Sequence, residues 1–253
     1  DGTATEGDVG GATGVSHGEI IFTDTITFPI GANSYILKGK VGTDIANSDT
    51  IAASTTPSNW GTVTGQVTGK SITPSPTSAL TLPTMTVKAS DLTVSVSSIP
   101  IAQTVIKGAS QFTFANYILD STASGEDVRL TSLPVEYNFN TGTGVATDLT
   151  NCKVYDGLSI INSANIKNPS AKSSSSSFVF DGSGLTLPKG SSKTLALKCD
   201  VSGSAATNAS YNWGIDGAED TNFTGATGLT RGRTVTETFS DSEGQTMTVA
   251  AGG

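Results

Sequence analysis

Short runs in which every second residue is apolar recur from one end of the chain to the other. Leu92, Val94 and Val96 alternate with Thr93, Ser95 and Ser97, and Val135, Tyr137 and Phe139 with Glu136, Asn138 and Asn140. Leu195, Leu197, Cys199 and Val201 alternate in the same way with Ala196, Lys198 and Asp200. A period of two puts one apolar set on one face of a strand, so each run predicts a half-buried antiparallel strand. Turn clusters such as Asp181-Gly182-Ser183-Gly184, Pro188-Lys189-Gly190-Ser191 and Asp216-Gly217 interrupt the pattern at short intervals, and the weakly helical stretches are short. Composition agrees. Ser and Thr exceed a quarter of the chain and Gly adds 29 residues. Ser and Thr compete with the helical backbone for hydrogen bonds, Gly loses entropy in a helix, and β-branched residues suit a pleated surface. An all-β fold is expected.

A repeat organises these strands. Ile21-Phe22, Ile26-Thr27-Phe28-Pro29-Ile30-Gly31 and Tyr35-Ile36-Leu37-Lys38-Gly39-Lys40-Val41 match a later series. That series is Val179-Phe180, Leu185-Thr186-Leu187-Pro188-Lys189-Gly190 and Leu195-Ala196-Leu197-Lys198-Cys199-Asp200-Val201. Further on, Asn59-Trp60-Gly61-Thr62-Val63-Thr64-Gly65 resembles Asn222-Phe223-Thr224-Gly225-Ala226-Thr227-Gly228, and Met85-Thr86-Val87 resembles Met247-Thr248-Val249. Aligned backwards, Asp1-Gly2 falls opposite Asp156-Gly157, so the first copy lacks the counterpart of Gln103 through Tyr155 and the chain is expected to begin in mid-domain, as a mature or cut product. The expected junction between copies is Ile99-Pro100-Ile101, short and stiff, giving an incomplete repeat over 1–100 and a complete one over 101–253.

Three signatures of the second copy carry a resemblance: Ser124-Gly125-Glu126-Asp127-Val128-Arg129-Leu130-Thr131; Thr147-Asp148-Leu149-Thr150-Asn151-Cys152-Lys153-Val154-Tyr155-Asp156-Gly157; and Leu187-Pro188-Lys189-Gly190. Their succession resembles the immunoglobulin-like repeats of large surface proteins from uncultured bacteria. The resemblance implies two immunoglobulin-like antiparallel β-sandwich repeats, the first incomplete at its N-terminus, and an extracellular, S-layer-like role without a reaction.

Candidate chemistry is sparse. Cys152 and Cys199 share strand faces with Val154 and Leu197, and can form a disulfide worth roughly 3 to 4 kcal/mol or remain two buried thiols. His17 is the single histidine and lies in a Gly-rich stretch without a nucleophile motif nearby, so no enzyme is expected. Glu126 and Asp127, and the group Asp216, Glu219 and Asp220, are hard oxygen donors of the kind calcium takes, although solvated acidic turns have the same look. Asn208-Ala209-Ser210 and Asn222-Phe223-Thr224 are glycosylation sequons, and the Ser173–Ser177 run reads as a loop. A net charge of -8 with only three Arg lacks the clustered cations that a duplex's phosphates need, so no nucleic-acid partner is expected, and no apolar run approaches membrane-spanning length.

A sandwich without its first strands exposes an apolar face and open strand edges. The expectation is therefore a structural subunit of an extracellular bacterial filament or S-layer-like array. Copies of the chain would assemble as a homopolymer by β-strand complementation. Two alternatives compete with it. One is an adhesin or carbohydrate-binding module using Trp60, in the 55–84 insert; the other is a fragment of a long multi-repeat surface protein.

Overall fold

The structure, a computed structural model, describes residues 4–6, 20–22, 25–39, 41–42, 45–171, 174–215, 225–235, 237–239 and 242–251. Among them there is no α-helix, and so no helix long and apolar enough to cross a membrane. The fold is all-β. Two compact units divide between Val87 and Lys88.

Among the described residues the strands of the first unit are short and paired. They are β1 (Ala4–Glu6) with β2 (Ile20–Phe22), β3 (Thr50–Ile51) with β6 (Met85–Thr86), and β4 (Ser54–Thr55) with β5 (Leu80–Thr81), all antiparallel. Residues 25–39 have no regular secondary structure, although alternation and the repeat predict strands there. No strand among the described residues pairs with them, and a strand without a paired edge leaves its amides and carbonyls to water and gains nothing over coil. Of the residues in this unit whose burial is described, Pro57 alone is buried.

Among its described residues the second unit holds fourteen strands. They are β7 (Leu92–Val96), β8 (Gln103–Ile106), β9 (Phe112–Asp120), β10 (Val128–Leu130), β11 (Ser132–Phe139), β12 (Leu149–Asp156) and β13 (Ser159–Ile160), followed by β14 (Ser174–Val179), β15 (Leu185–Leu187), β16 (Ser192–Val201), β17 (Ser210–Gly214), β18 (Ala226–Gly228), β19 (Glu237–Phe239) and β20 (Met247–Ala250). A six-stranded sheet runs β13-β12-β16-β9-β7-β19, a five-stranded sheet β14-β11-β17-β20-β8, and a three-stranded sheet β15-β10-β18. Pairing is antiparallel except for β19 with β7 and β20 with β8. The inward residues of all three sheets form one core, in which Trp213, Tyr117, Tyr137, Tyr211, Phe114 and Phe178 are fully buried. The Tyr137 and Trp213 rings lie 4.7 Å apart, and the Tyr117 hydroxyl donates to the Gly214 carbonyl of the opposite sheet at 3.4 Å. The alternating runs at 92–96, 135–139 and 195–201 all turn their apolar side chains into this core.

Two expectations need correction. Leu92–Val96 belongs to the second unit, where it pairs with β9, so the junction lies before residue 88 and not at 100. Ile99-Pro100-Ile101 is the passage by which the first strand of this unit leaves the six-stranded sheet and continues in the five-stranded one. The serine run is also not a loop: residues 174–177 are strand, paired with Pro134–Tyr137, because β11 offers an open edge that outweighs the indifferent strand propensity of Ser.

Candidate functional site

One antiparallel strand pair and one hairpin of the first unit share their backbone hydrogen bonds with a strand pair and a hairpin of the second. Ser48 N–H donates to the Val87 carbonyl and Val87 N–H to that of Asp49, both at 2.8 Å. The counterparts are Asn208 N–H to Val249 at 2.9 Å and Val249 N–H to Ala209 at 2.8 Å. Ser48 and Asn208 share a left-handed backbone, φ 72° and 67°. The register Thr50 with Thr86 and Ile51 with Met85 matches Ser210 with Thr248 and Tyr211 with Met247, and the pair Thr55 with Leu80 matches Ile215 with Ser242. In the hairpin Thr64 bridges Ser71 as Thr227 bridges Thr234. Gly65 N–H reaches Lys70 O at 2.9 Å as Gly228 N–H reaches Arg233 O at 2.8 Å, and Ile72 N–H reaches Val63 O as Val235 N–H reaches Ala226 O.

Burial separates these equivalent positions. Phe28, Tyr35, Leu37, Ile72 and Met85 are 49, 57, 50, 51 and 59% exposed, whereas their counterparts Leu187, Leu195, Leu197, Val235 and Met247 are at most 1% exposed. In the second unit β17 lies between β11 and β20, and β20 between β17 and β8. Among the described residues the first unit keeps the β3–β6 pair alone, without counterparts of β11 and β8. This face and these two edges are the candidate site.

The residues singled out from sequence fall in several places. Cys152 and Cys199 are bonded, with S–S 2.02 Å, across the β12 and β16 edges where the register shifts. Glu126 is buried, and its Oε2 accepts the N–H groups of Thr230 at 2.6 Å and Arg231 at 2.8 Å. Asp127 accepts the Lys189 N–H at 2.9 Å. Both carboxylates thus tie turns to β10, and no cluster of three or more metal-ligating side chains occurs among the described residues. Asn208 is exposed at its turn. His17, Asp216, Glu219, Asp220, Asn222 and Ser173 lie outside the described residues. Trp60 is 43% exposed, donates from Nε1 to Thr55 Oγ1 at 2.8 Å, and lies 6.1 Å from the Phe28 ring, which meets Tyr35 at 5.3 Å.

Sequence reasoning missed two carboxylates that organise the second unit. Asp148 Oδ2 accepts from the buried Tyr211 hydroxyl at 2.5 Å and from Val145 N–H at 2.9 Å. Burial, reinforced by Asp148, raises the Tyr211 pKa and keeps the hydroxyl a donor. Asp200 accepts from Gln111 N–H at 2.7 Å, Gln111 Nε2 at 2.8 Å, Ser110 Oγ at 3.0 Å and Asn151 Nδ2 at 2.8 Å. It holds the left-handed Gln111 and Asn151 (φ 50° and 52°) at the start of β9 and in the β12 bulge. Partial burial pushes this carboxyl up, but the hydrogen bonds outweigh it and leave the pKa at about 2. A depressed pKa means that the ionised form stabilises the fold fully above the unfolded value, near pH 4, and that this contribution disappears as pH falls through about 2. Asp200→Asn should lower stability at neutral pH and flatten the acid limb between these limits. Urea unfolding of both proteins at stepped pH measures it, and parallel pH profiles would contradict it.

Comparison of the chain with protein-family models, with curated proteins and with solved structures finds no match in any of the three.

Proposed function

We propose that the chain is a structural subunit of an extracellular bacterial surface filament or S-layer-like array, built from immunoglobulin-like repeats and assembled by β-strand complementation. The carrying observation is that the same apolar positions are buried in the second unit and half exposed in the first. Five such side chains show on the order of 500 Å² if a large side chain buries roughly 200 Å². With both partners counted, that is roughly 1,000 Å², the scale at which specific interfaces begin. The immunoglobulin-like reading draws on the two main sheets, on a first strand shared between them, and on its parallel pairing with the last strand. An extracellular place is supported by the Cys152–Cys199 bond, since disulfides persist in oxidising compartments.

Electron microscopy and sedimentation of the full chain test this reading. Filaments or sheets are expected, and Leu37→Asp should disperse them. A chain that stays monomeric at high concentration while residues 25–87 resist protease would contradict it. The exposed aromatics Phe28, Tyr35 and Trp60 favour a second reading, an adhesin, for which Trp60→Ala should abolish glycan-array binding. Assembly is preferred because Phe28 and Tyr35 fall at positions whose counterparts are core.

A further inference from the structure

The hairpin of residues 62–72 ends in a turn, Gly65 to Lys70, that matches Gly228 to Arg233. Gly69 N–H donates to the Gly65 carbonyl at 2.7 Å and Gly232 N–H to that of Gly228 at 2.9 Å, and Gly69 and Gly232 are left-handed at φ 61° and 68°. The turns have equal length, so Val67 and Thr68 hold the positions of Thr230 and Arg231. In the second unit those two amides bind the buried Glu126 carboxylate, and β10 pairs with the hairpin edge in the register Val128 with Gly228 and Leu130 with Ala226. Glu126 lies two residues before this strand, in step with Val128 and Leu130, and all three are buried. The strand is flanked on its other edge by β15, whose counterpart in the first unit is Ile26–Phe28.

Among the described residues the first unit has the receptor without the strand. Ile26, Phe28 and Ile72 are about half exposed. Only the Gln66–Thr27 side-chain hydrogen bond, at 3.2 Å, joins the two flanking segments among the described contacts. The space above the turn glycine is also used differently. A Cβ on Gly228 would lie 2.5 Å from Glu126 Oε1, whereas a Cβ on Gly65 would lie 2.8 Å from Thr68 Oγ1. The Thr68 hydroxyl stands where the carboxylate belongs, and it moves away by rotation about one bond.

Resting on the complementation reading above, the geometry points to a defined ligand for the first unit: an extended polypeptide strand of the pattern Glu-x-Val-x-Leu. It lies antiparallel to Val63–Gly65. Its Val and Leu cover Phe28 and Ile72, and its Glu accepts the N–H groups of Val67 and Thr68. Ionic hydrogen bonds from two amides give this strand a register that apolar contact alone does not.

The test uses the full chain and a synthetic peptide of residues 123–132, which carries Glu126, Val128 and Leu130 and has no Trp. Titration calorimetry and Trp60 emission should report saturable binding with a blue shift. The peptide with Glu126→Gln should bind about tenfold more weakly or worse, as loss of a charged hydrogen-bond acceptor implies. The peptide with Val128→Asp should not bind, nor should the native peptide bind a chain carrying Ile72→Asp, a change at an exposed site. No saturable binding up to millimolar peptide, or equal affinity of the Glu126→Gln peptide, overturns the inference. If the chain polymerises while the peptide neither binds nor blocks it, this choice of strand falls and the assembly reading stands. If the peptide binds a chain that never polymerises, the reverse holds.

Discussion

Replacing Leu197 with Ala is expected to destabilise the second unit by about 2–5 kcal/mol, whereas the same change at Leu37 should cost the unassembled chain under about 1 kcal/mol. The two leucines occupy equivalent repeat positions, but Leu197 is fully buried between β9 and β12 side chains and Leu37 is half exposed. Truncating a buried leucine loses its transfer free energy and leaves a cavity; at the open position water already meets the side chain, so neither loss arises in full. Denaturant unfolding followed by the emission of Trp213, in a Trp60→Phe background, measures the Leu197→Ala effect. Protease susceptibility of residues 25–87 follows Leu37→Ala. A large effect at Leu37 in the monomer would show that the first unit closes over itself. If copies complement one another as proposed, Leu37 becomes a core residue in assembled material and the asymmetry should disappear there.

Loss of the Cys152–Cys199 bond is expected to be comparably severe. The bond closes a separation of 47 residues. Chain entropy puts the stabilisation at about 4 kcal/mol for a loop of that size. The bond also sits beside the β12 bulge that Asp200 holds through Asn151, so reduction should loosen both restraints on the same sheet edge. Unfolding midpoints of the Cys152→Ser, Cys199→Ser double variant, compared with the oxidised chain, test this. A shift of less than about 1 kcal/mol would mean that the reduced denatured state is already compact.

Much of the second unit was legible in sequence because its strands are half buried and alternate cleanly. Val135, Tyr137 and Phe139 point inward as their spacing requires, as do Leu195, Leu197 and Cys199. The same spacing failed at 35–39: alternation states which face a strand would bury, not whether a neighbour exists to pair with it. The pattern of Leu92–Val96 does not reveal its unit, for a related reason. Its pattern fits any half-buried strand, and only the pairing with Tyr117–Asp120 reveals its sheet. Ser174–Ser177 became strand against its local preference because β11 had an edge to fill.

The candidate site was partly readable. The repeat indicated that core positions would lie open, and the matched strand pair and hairpin give that statement a register. The use of Glu126 was not readable, since a carboxylate that caps two amides of a turn 104 residues away looks like any acidic loop residue. A signal did exist: Gly65 and Gly228 align, and both turns carry a second glycine at the same spacing.

The passage of the opening strand from one sheet to the other has a mechanical meaning. β7 runs parallel to β19, and β8 parallel to β20, so the two ends of the second unit leave their shared ladders in opposite directions. Tension drawn through the chain therefore slides these strands along each other and loads their hydrogen bonds together, where a hairpin geometry would unzip them singly. A module wired in this way resists extension along its own chain by shear, with several hydrogen bonds sharing the load.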